Sequence, residues 1–132
     1  MEATFDTGTR ENWVSKSTVA QLKCTTEHVQ AATYFTFTGE TLESSKVIRD
    51  VGWCIDTGSG VGDKSRWADF RVAPEGAPFE VLFGRDLIFS EDIFGFKDAT
   101  LILIKGDESA GRFLPDLMYK IDSKARRDTN YI

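Results

Sequence analysis

The chain has few of the residues that build metal centres or disulfide frameworks. It contains two cysteines, Cys24 and Cys54, and a single histidine, His28. Two cysteines are too few for a disulfide scaffold or a metal cluster, and one histidine adds little, so we expect no metal site. A low cysteine content without a disulfide framework suits a reducing compartment, so we expect a cytoplasmic protein.

The sequence also lacks a long apolar run and an excess of basic residues. No stretch approaches the roughly 20 apolar residues that a membrane-spanning helix needs. No signal peptide is visible at Met1-Glu2-Ala3. The formal net charge is −5, whereas nucleic-acid-binding proteins usually carry a basic face. We therefore expect neither a membrane nor a nucleic acid as a partner. The length of 132 residues suits one domain with a real core.

Short segments with alternating apolar residues dominate the chain, which is typical of β-strands. The expected strands include residues 33–37, 47–55, 68–72, 79–83 and 100–104. In the second of these, Val47, Val51, Trp53 and Ile55 are expected on one face and Ile48, Asp50 and Cys54 on the other. The segments Thr38-Gly39-Glu40 and Asp56 to Gly62 are expected to be hairpin connections.

Three segments favour helices. Ser15 can cap a short helix that carries Val19 and Leu22. A second helix is expected from Leu87 to Phe94, and Pro115 fits the first turn of a third. The whole pattern predicts an all-β fold, a small closed or partly open barrel. It carries a short helix after Gly84-Arg85-Asp86 and an appended C-terminal helix.

The tripeptide Asp-Thr-Gly occurs twice, beginning at Asp6 and at Asp56. A carboxylate in a tight turn can stand exposed and be held by backbone amides, as an acid/base built from paired aspartates requires. Asp and Gly also favour turns for backbone reasons alone, so the spelling by itself usually marks only a turn. The Asp56 copy lies among three glycines between two strand-like segments, and we interpret it as a hairpin tip.

The Asp6 copy has a more specific context. Asn12-Trp13-Val14-Ser15 follows it, and Val81-Leu82-Phe83-Gly84-Arg85-Asp86 comes much later. This order resembles the retropepsin-like aspartic peptidases, the retroviral and retroelement-type family. The resemblance divides the chain into a peptidase-like domain, 1–104, and a C-terminal extension, 105–132, with a helix and a basic tail. Only five residues precede Asp6, so the N-terminal strand of the family is expected to be truncated.

The resemblance implies an aspartic endopeptidase that acts on peptide or protein substrates as a homodimer and needs no cofactor. One chain offers one catalytic aspartate, so Asp6 of each subunit would face its twin across a two-fold axis. The two carboxylates would share one proton. The ionised carboxylate would activate a water molecule, and the protonated one would donate to the scissile carbonyl.

The resemblance also assigns supporting roles around Asp6, to Thr7, Gly8, Thr9, Gly84, Arg85 and Asp86. Thr7 would bridge the two subunits, and Gly8 would let the backbone approach the substrate. Gly84 would lie behind the turn, where a side chain would clash. Arg85 would pair with an acidic group near the dimer interface or be an ordinary surface arginine, and Asp86 would cap the helix.

Several alternatives stay open at this point. The tip Thr38, Gly39 and Glu40 stands where the family has its flap, but a plain surface hairpin fits the same residues. Residues 100–104 would form either a strand of the dimer interface or a buried core strand. The chain would otherwise be a catalytically inactive retropepsin-like dimerisation or interaction module, or an unrelated β-barrel binding module.

Overall fold

A computed structural model describes residues 2–36, 39–56, 66–91, 100–104 and 115–121. The strands in these ranges are β1 (Glu2–Asp6), β2 (Trp13–Val14), β3 (Glu27–Phe35), β4 (Thr41–Asp56), β5 (Arg66–Val72), β6 (Val81–Gly84), β7 (Thr100–Ile104) and β8 (Pro115–Ile121). The helices are α1 (Lys16–Leu22) and α2 (Arg85–Ser90). Among the described residues, no helix has the length and apolar character needed to cross a membrane.

The strands form one sheet that curls into a nearly closed barrel. The strand order is β3-β4-β5-β2-β6-β1-β8-β7, and β7 also pairs with β4. The ring can close because β4 is 16 residues long and pairs with β3, β5 and β7 at successive positions. Strand β3 lies outside the ring and pairs with β4 only, among the strands that the structure describes. The predicted small all-β barrel is confirmed.

Large apolar side chains fill the barrel around Phe83 of β6. Its ring lies 5.7 Å from that of Phe5, 5.1 Å from that of Trp53 and 5.8 Å from that of Phe70, measured between centroids. Leu82, the neighbouring residue, packs into a second cluster on the other face of the strand. Both faces of β6 are covered, which explains why its sequence is continuously apolar rather than alternating. All four residues of β6 are buried, so the turn beside this strand packs against the interior of the barrel.

Strand β7 lies in the wall of the barrel. Leu101 and Leu103 are fully buried, and the strand pairs with β4 on one side and β8 on the other. Of the two readings of residues 100–104, the structure fits a buried core strand.

The expected C-terminal helix is wrong, because Pro115–Ile121 forms strand β8. This strand pairs with β7 in antiparallel orientation and with β1 in parallel orientation. It fills the gap between those two strands, whose backbone groups on the facing edges would otherwise lack partners. Pro115 stands at the first residue of the strand, a position where its missing N–H is tolerated. The tertiary context thus overrides the local helical spacing.

The alternation expected in β4 is also wrong in part. The sequence pattern predicts Ile48 and Val51 on opposite faces, yet both side chains belong to the barrel core. The pairing with β5 is irregular between these two residues, and Asp50 has a φ of 55°. A bulge of this kind adds a residue to one strand and shifts the faces beyond it.

The helix predicted after Ser15 is confirmed. The Ser15 side chain accepts a hydrogen bond of 3.2 Å from the backbone N–H of Thr18, as a capping residue should. The second helix begins and ends earlier than expected: α2 starts at Arg85, with Gly84 as its N-cap, and ends at Ser90. Residues 92–94 of the predicted helix lie outside the described residues.

Candidate functional site

The first Asp-Thr-Gly forms a tight turn directly after β1. The backbone N–H of Gly8 donates to Oδ1 of Asp6 at 2.8 Å, a local bond that fixes the carboxylate against its own turn. Asp6 is 0% exposed and Thr7 is buried, whereas Gly8 is exposed. The carboxylate is thus held by a backbone amide, but it does not stand exposed as the sequence led us to expect.

Tyr34 of β3 covers the carboxylate. Its hydroxyl donates to Oδ2 of Asp6 at 2.5 Å, and the residue is only 6% exposed. The Tyr34 ring packs 5.8 Å from that of Trp13 and 5.5 Å from that of Phe79, the latter edge to face. Hydrogen bonds to carboxylates are short and strong when the surroundings are apolar. The Tyr34 phenol and the Asp6 carboxylate therefore form a buried hydrogen-bonded pair beneath the β3–β4 hairpin.

Gly84 lies immediately behind the turn. Strand β6 runs between β1 and β2, and Gly84 pairs with Asp6 in the parallel register of β1 and β6. A Cβ atom at Gly84 would lie 2.6 Å from the carbonyl carbon of Glu11 and 2.8 Å from the oxygen of Arg10, with the Glu11 oxygen closer still. Only glycine lets the turn backbone approach the strand this closely.

Backbone hydrogen bonds fasten the turn to the start of α2. The N–H of Arg85 donates to the Thr9 carbonyl at 2.6 Å, and the N–H of Asp86 donates to the Arg10 carbonyl at 3.2 Å. The first amides of a helix have no partner inside it, and here the turn supplies their acceptors. The expected side-chain cap at Asp86 is therefore wrong: Gly84 is the N-cap, and no side chain caps the helix.

The other predicted support residues lie around the same turn. The indole N–H of Trp13 donates to the Thr9 hydroxyl at 3.3 Å. Arg85 is half-buried, and Asp86 is exposed and lies 3.7 Å from the Arg10 guanidinium. A pair of this kind on the surface contributes little to stability. Thr7, Gly8, Thr9, Gly84, Arg85 and Asp86 are thus all parts of one turn–strand–helix junction.

Asn12 is a member of this junction that the sequence reasoning did not assign. Its Oδ1 accepts from the backbone N–H of Gly84 at 2.9 Å, and its Nδ2 donates to the Asp69 carbonyl at 3.1 Å. One side chain thereby ties together β6 and β5. An amide with both a donor and an acceptor, directly before a buried strand, is the signal that the sequence offers for this role.

Arg71 of β5 links the turn to the base of the hairpin. Its guanidinium binds the Glu11 carboxylate and also donates to the carbonyls of Gln30 at 2.5 Å and Ser44 at 3.2 Å. These acceptors belong to the turn region, to β3 and to β4 respectively. Nothing in the alternating pattern of β5 distinguishes this arginine from a surface residue, so its role cannot be predicted from the sequence.

The predicted hairpin is present, because β3 and β4 pair in antiparallel orientation up to Phe35 and Thr41. At its tip, the N–H of Thr36 donates to the Glu40 carbonyl at 2.8 Å, and Gly39 has a φ of 89°. Thr38 lies outside the described residues. Tyr34 of this hairpin reaches Asp6, but the contact comes from the strand rather than from the tip.

Of the second Asp-Thr-Gly the structure describes only Asp56, which is the last residue of β4 and pairs with Thr100 of β7. Strand β4 ends at Asp56, and its antiparallel partner β5 begins at Arg66. Residues 57–65 lie outside the described residues.

An open groove of about 720 Å³ lies beside the outer side of the Asp6 turn. Arg10, Glu11 and Asp86 line it, together with Trp67 on the facing strand, whereas Asp6 does not. The groove therefore does not reach the carboxylate.

The arrangement places one carboxylate, fixed by a backbone amide and a phenol, in apolar surroundings where proton transfer can be controlled. Within the described ranges, no three His, Cys, Asp or Glu side chains come together as a metal ion would require. Comparison of the chain with protein-family models, with curated proteins and with solved structures finds no match. Any functional conclusion must therefore come from the geometry of this site.

Proposed function

We propose that the chain is an aspartic endopeptidase of the retropepsin type, in which Asp6 of two copies forms the catalytic dyad. One observation carries the proposal: the backbone of Arg10 and Glu11, shortly after the Asp6 turn, packs on Gly84 so closely that a Cβ atom would clash there. A turn that only connects two strands requires neither a buried carboxylate nor a glycine in the strand behind it. The supporting observation is the set of backbone bonds from α2 that fixes the same turn.

The chemistry needs two carboxylates, and the second comes from a twin subunit. The ionised carboxylate takes a proton from water while the oxygen of that water attacks the peptide carbonyl carbon. The protonated carboxylate gives its proton to the carbonyl oxygen. The tetrahedral intermediate then expels the amine, which takes up a proton as the C–N bond breaks. A carboxylic acid and an amine leave, and the dyad regains its single shared proton.

A direct test measures cleavage of a peptide library by the purified chain between pH 4 and 7, with and without pepstatin. We expect Asp6→Asn to abolish cleavage and Asp56→Asn, the matched change in the second tripeptide, to leave it intact. Cleavage that survives Asp6→Asn would refute the assignment of Asp6.

The requirement for two subunits has its own test. Wild-type chain and Asp6→Asn are mixed in equal amounts, unfolded, refolded and assayed. If each active site needs Asp6 from both copies, only about a quarter of the dimers contain two wild-type chains. The activity per dimer should then fall to about a quarter of the wild-type value. Activity that falls only to half would mean that each chain works alone.

A second candidate is a catalytically inactive retropepsin-like dimerisation or interaction module. The observation that favours it is the complete burial of Asp6 under Tyr34. A chain that dimerises and never cuts any peptide supports this candidate. A chain that stays monomeric at high concentration counts against both functions.

A further inference from the structure

We propose that Tyr34 is a latch that holds Asp6 closed, and that the outer part of the β3–β4 hairpin must lift before the site can work. This inference concerns the regulation of the same site and rests on the proposed function. The feature that carries it is the Tyr34 hydroxyl, which lies 2.5 Å from Oδ2 of Asp6. No second carboxylate, water molecule or peptide carbonyl fits between two oxygen atoms at that distance.

Both oxygens of the Asp6 carboxylate are engaged in the closed state. Oδ1 accepts from the Gly8 amide, and Oδ2 accepts from the phenol. The Gly8 bond is local and can persist during catalysis, because its donor is part of the turn itself. The Tyr34 bond comes from a different strand, so it can be broken without any change in the turn.

The position of Tyr34 makes it a movable cover. Its neighbours on the strand, Thr33 and Phe35, are exposed, and its ring enters a separate pocket with Trp13 and Phe79. These aromatic contacts and the hydrogen bond to Asp6 help to hold this part of the strand against the barrel.

The base of the hairpin is fixed, which confines the motion to its outer part. Arg71 binds the carbonyls of Gln30 in β3 and Ser44 in β4. The pairing of the two strands is irregular between His28 and Ala32, on either side of the clamped Gln30, and it is regular from the Ala32–Ser44 pair to the Phe35–Thr41 pair. An irregular ladder next to a fixed point is where a hairpin can bend without loss of its regular pairs.

The test measures the accessibility of Asp6 and does not require any cleavage. A water-soluble carbodiimide couples a small amine to accessible carboxylates, and mass spectrometry gives the rate at Asp6. Asp86 is the internal reference, because its side chain is 61% exposed. We expect Asp6 to be labelled far more slowly than Asp86 in the wild-type chain.

Tyr34→Phe keeps the ring and removes the hydroxyl. A hydrogen bond to a charged group favours a closed state by a factor of about ten or more, so the Asp6 rate relative to Asp86 should rise by about that factor. The matched control is Phe35→Leu, one residue along the strand and 66% exposed in the wild type. It should leave the ratio unchanged. An unchanged ratio in Tyr34→Phe, or an equal rise in Phe35→Leu, would overturn the latch.

Phe79→Leu provides a second variant should Tyr34→Phe fail to fold. It loosens the pocket around the Tyr34 ring while the hydroxyl stays, so the Asp6 ratio should rise, by less than in Tyr34→Phe. If the Asp6 ratio does not rise in Phe79→Leu, the latch is overturned as well. Rapid labelling without peptide cleavage in any variant would leave the latch standing and count against the peptidase.

Discussion

Replacement of Gly84 by alanine is the most informative single perturbation of the site. The added methyl group would lie against the backbone of Arg10 and Glu11, with the nearest carbons and oxygens at 2.6 to 2.8 Å or less. Backbone atoms cannot rotate away as a flexible side chain can, so the turn and strand β6 must separate. The change therefore acts directly on the junction that positions Asp6.

The magnitude follows from the contacts that the separation disturbs. The N–H of Gly84 bonds Asn12 at 2.9 Å, and the N–H of Arg85 bonds Thr9 at 2.6 Å. Loss of each bond costs about 1 kcal/mol. Overpacking of a close contact costs about 1–3 kcal/mol in addition. We expect Gly84→Ala to lower the free energy of unfolding by roughly 3–5 kcal/mol, a large share of the stability of a typical domain.

The assay is urea unfolding followed by the fluorescence of the three tryptophans. Gly76→Ala is the matched control, because Gly76 has a φ of 85° and no atom would lie within 4 Å of its Cβ. A left-handed backbone costs alanine about 1–2 kcal/mol and nothing more is expected there. If both variants lose the same stability, the close approach at Gly84 is not what fixes the turn, and the reasoning about the site fails.

Three further predictions concern residues around the site. Asn12→Ala should cost about 1–3 kcal/mol in urea unfolding, because it leaves the Gly84 N–H buried without its acceptor; unchanged stability would contradict this. Ser15→Ala should cost about 1 kcal/mol through loss of the cap on α1, measured by thermal unfolding. Burial raises the pKa of Tyr119 above its usual value of 10.0, and a nearby Glu80 adds to this. The folded state therefore keeps the Tyr119 proton where the unfolded state loses it. The contribution of Tyr119 to the free energy of unfolding is fully present below pH 10 and falls as the pH rises further. Tyr119→Phe should therefore flatten the decline of stability at alkaline pH.

Strands β3 to β7, the first helix and the proximity of Gly84 to the Asp6 turn could be predicted because their signals are local or lie in ordered motifs. Ser15 precedes a helical pattern, and its hydroxyl caps that helix. Gly84 follows an apolar run that is buried on both faces. In each case the residue types at one place in the chain determine what the backbone can do there.

The remaining features depend on contacts between distant parts of the chain. Pro115–Ile121 forms a strand because β1 and β7 leave a gap, and the segment alone does not reveal that gap. The bulge at Asp50 is stabilised by a bond from its N–H to the Asp69 side chain, on another strand. Tyr34 reaches Asp6 across 28 positions. No periodic pattern encodes contacts of this kind.

The pairing of β1 with β8, the first and last strands that the structure describes, has a consequence for how the chain folds. Strand β1 has β8 as one of its two neighbours, with Glu2 beside Lys120. During synthesis, the amino-terminal strand must wait for the carboxy-terminal one, since the ring cannot close before residues 115–121 exist. Assembly that depends on partners so far apart in sequence is slow. The acidic turn at the end of β1 therefore gains its complete strand surroundings only after residues 115–121 have been synthesised and have paired with β1.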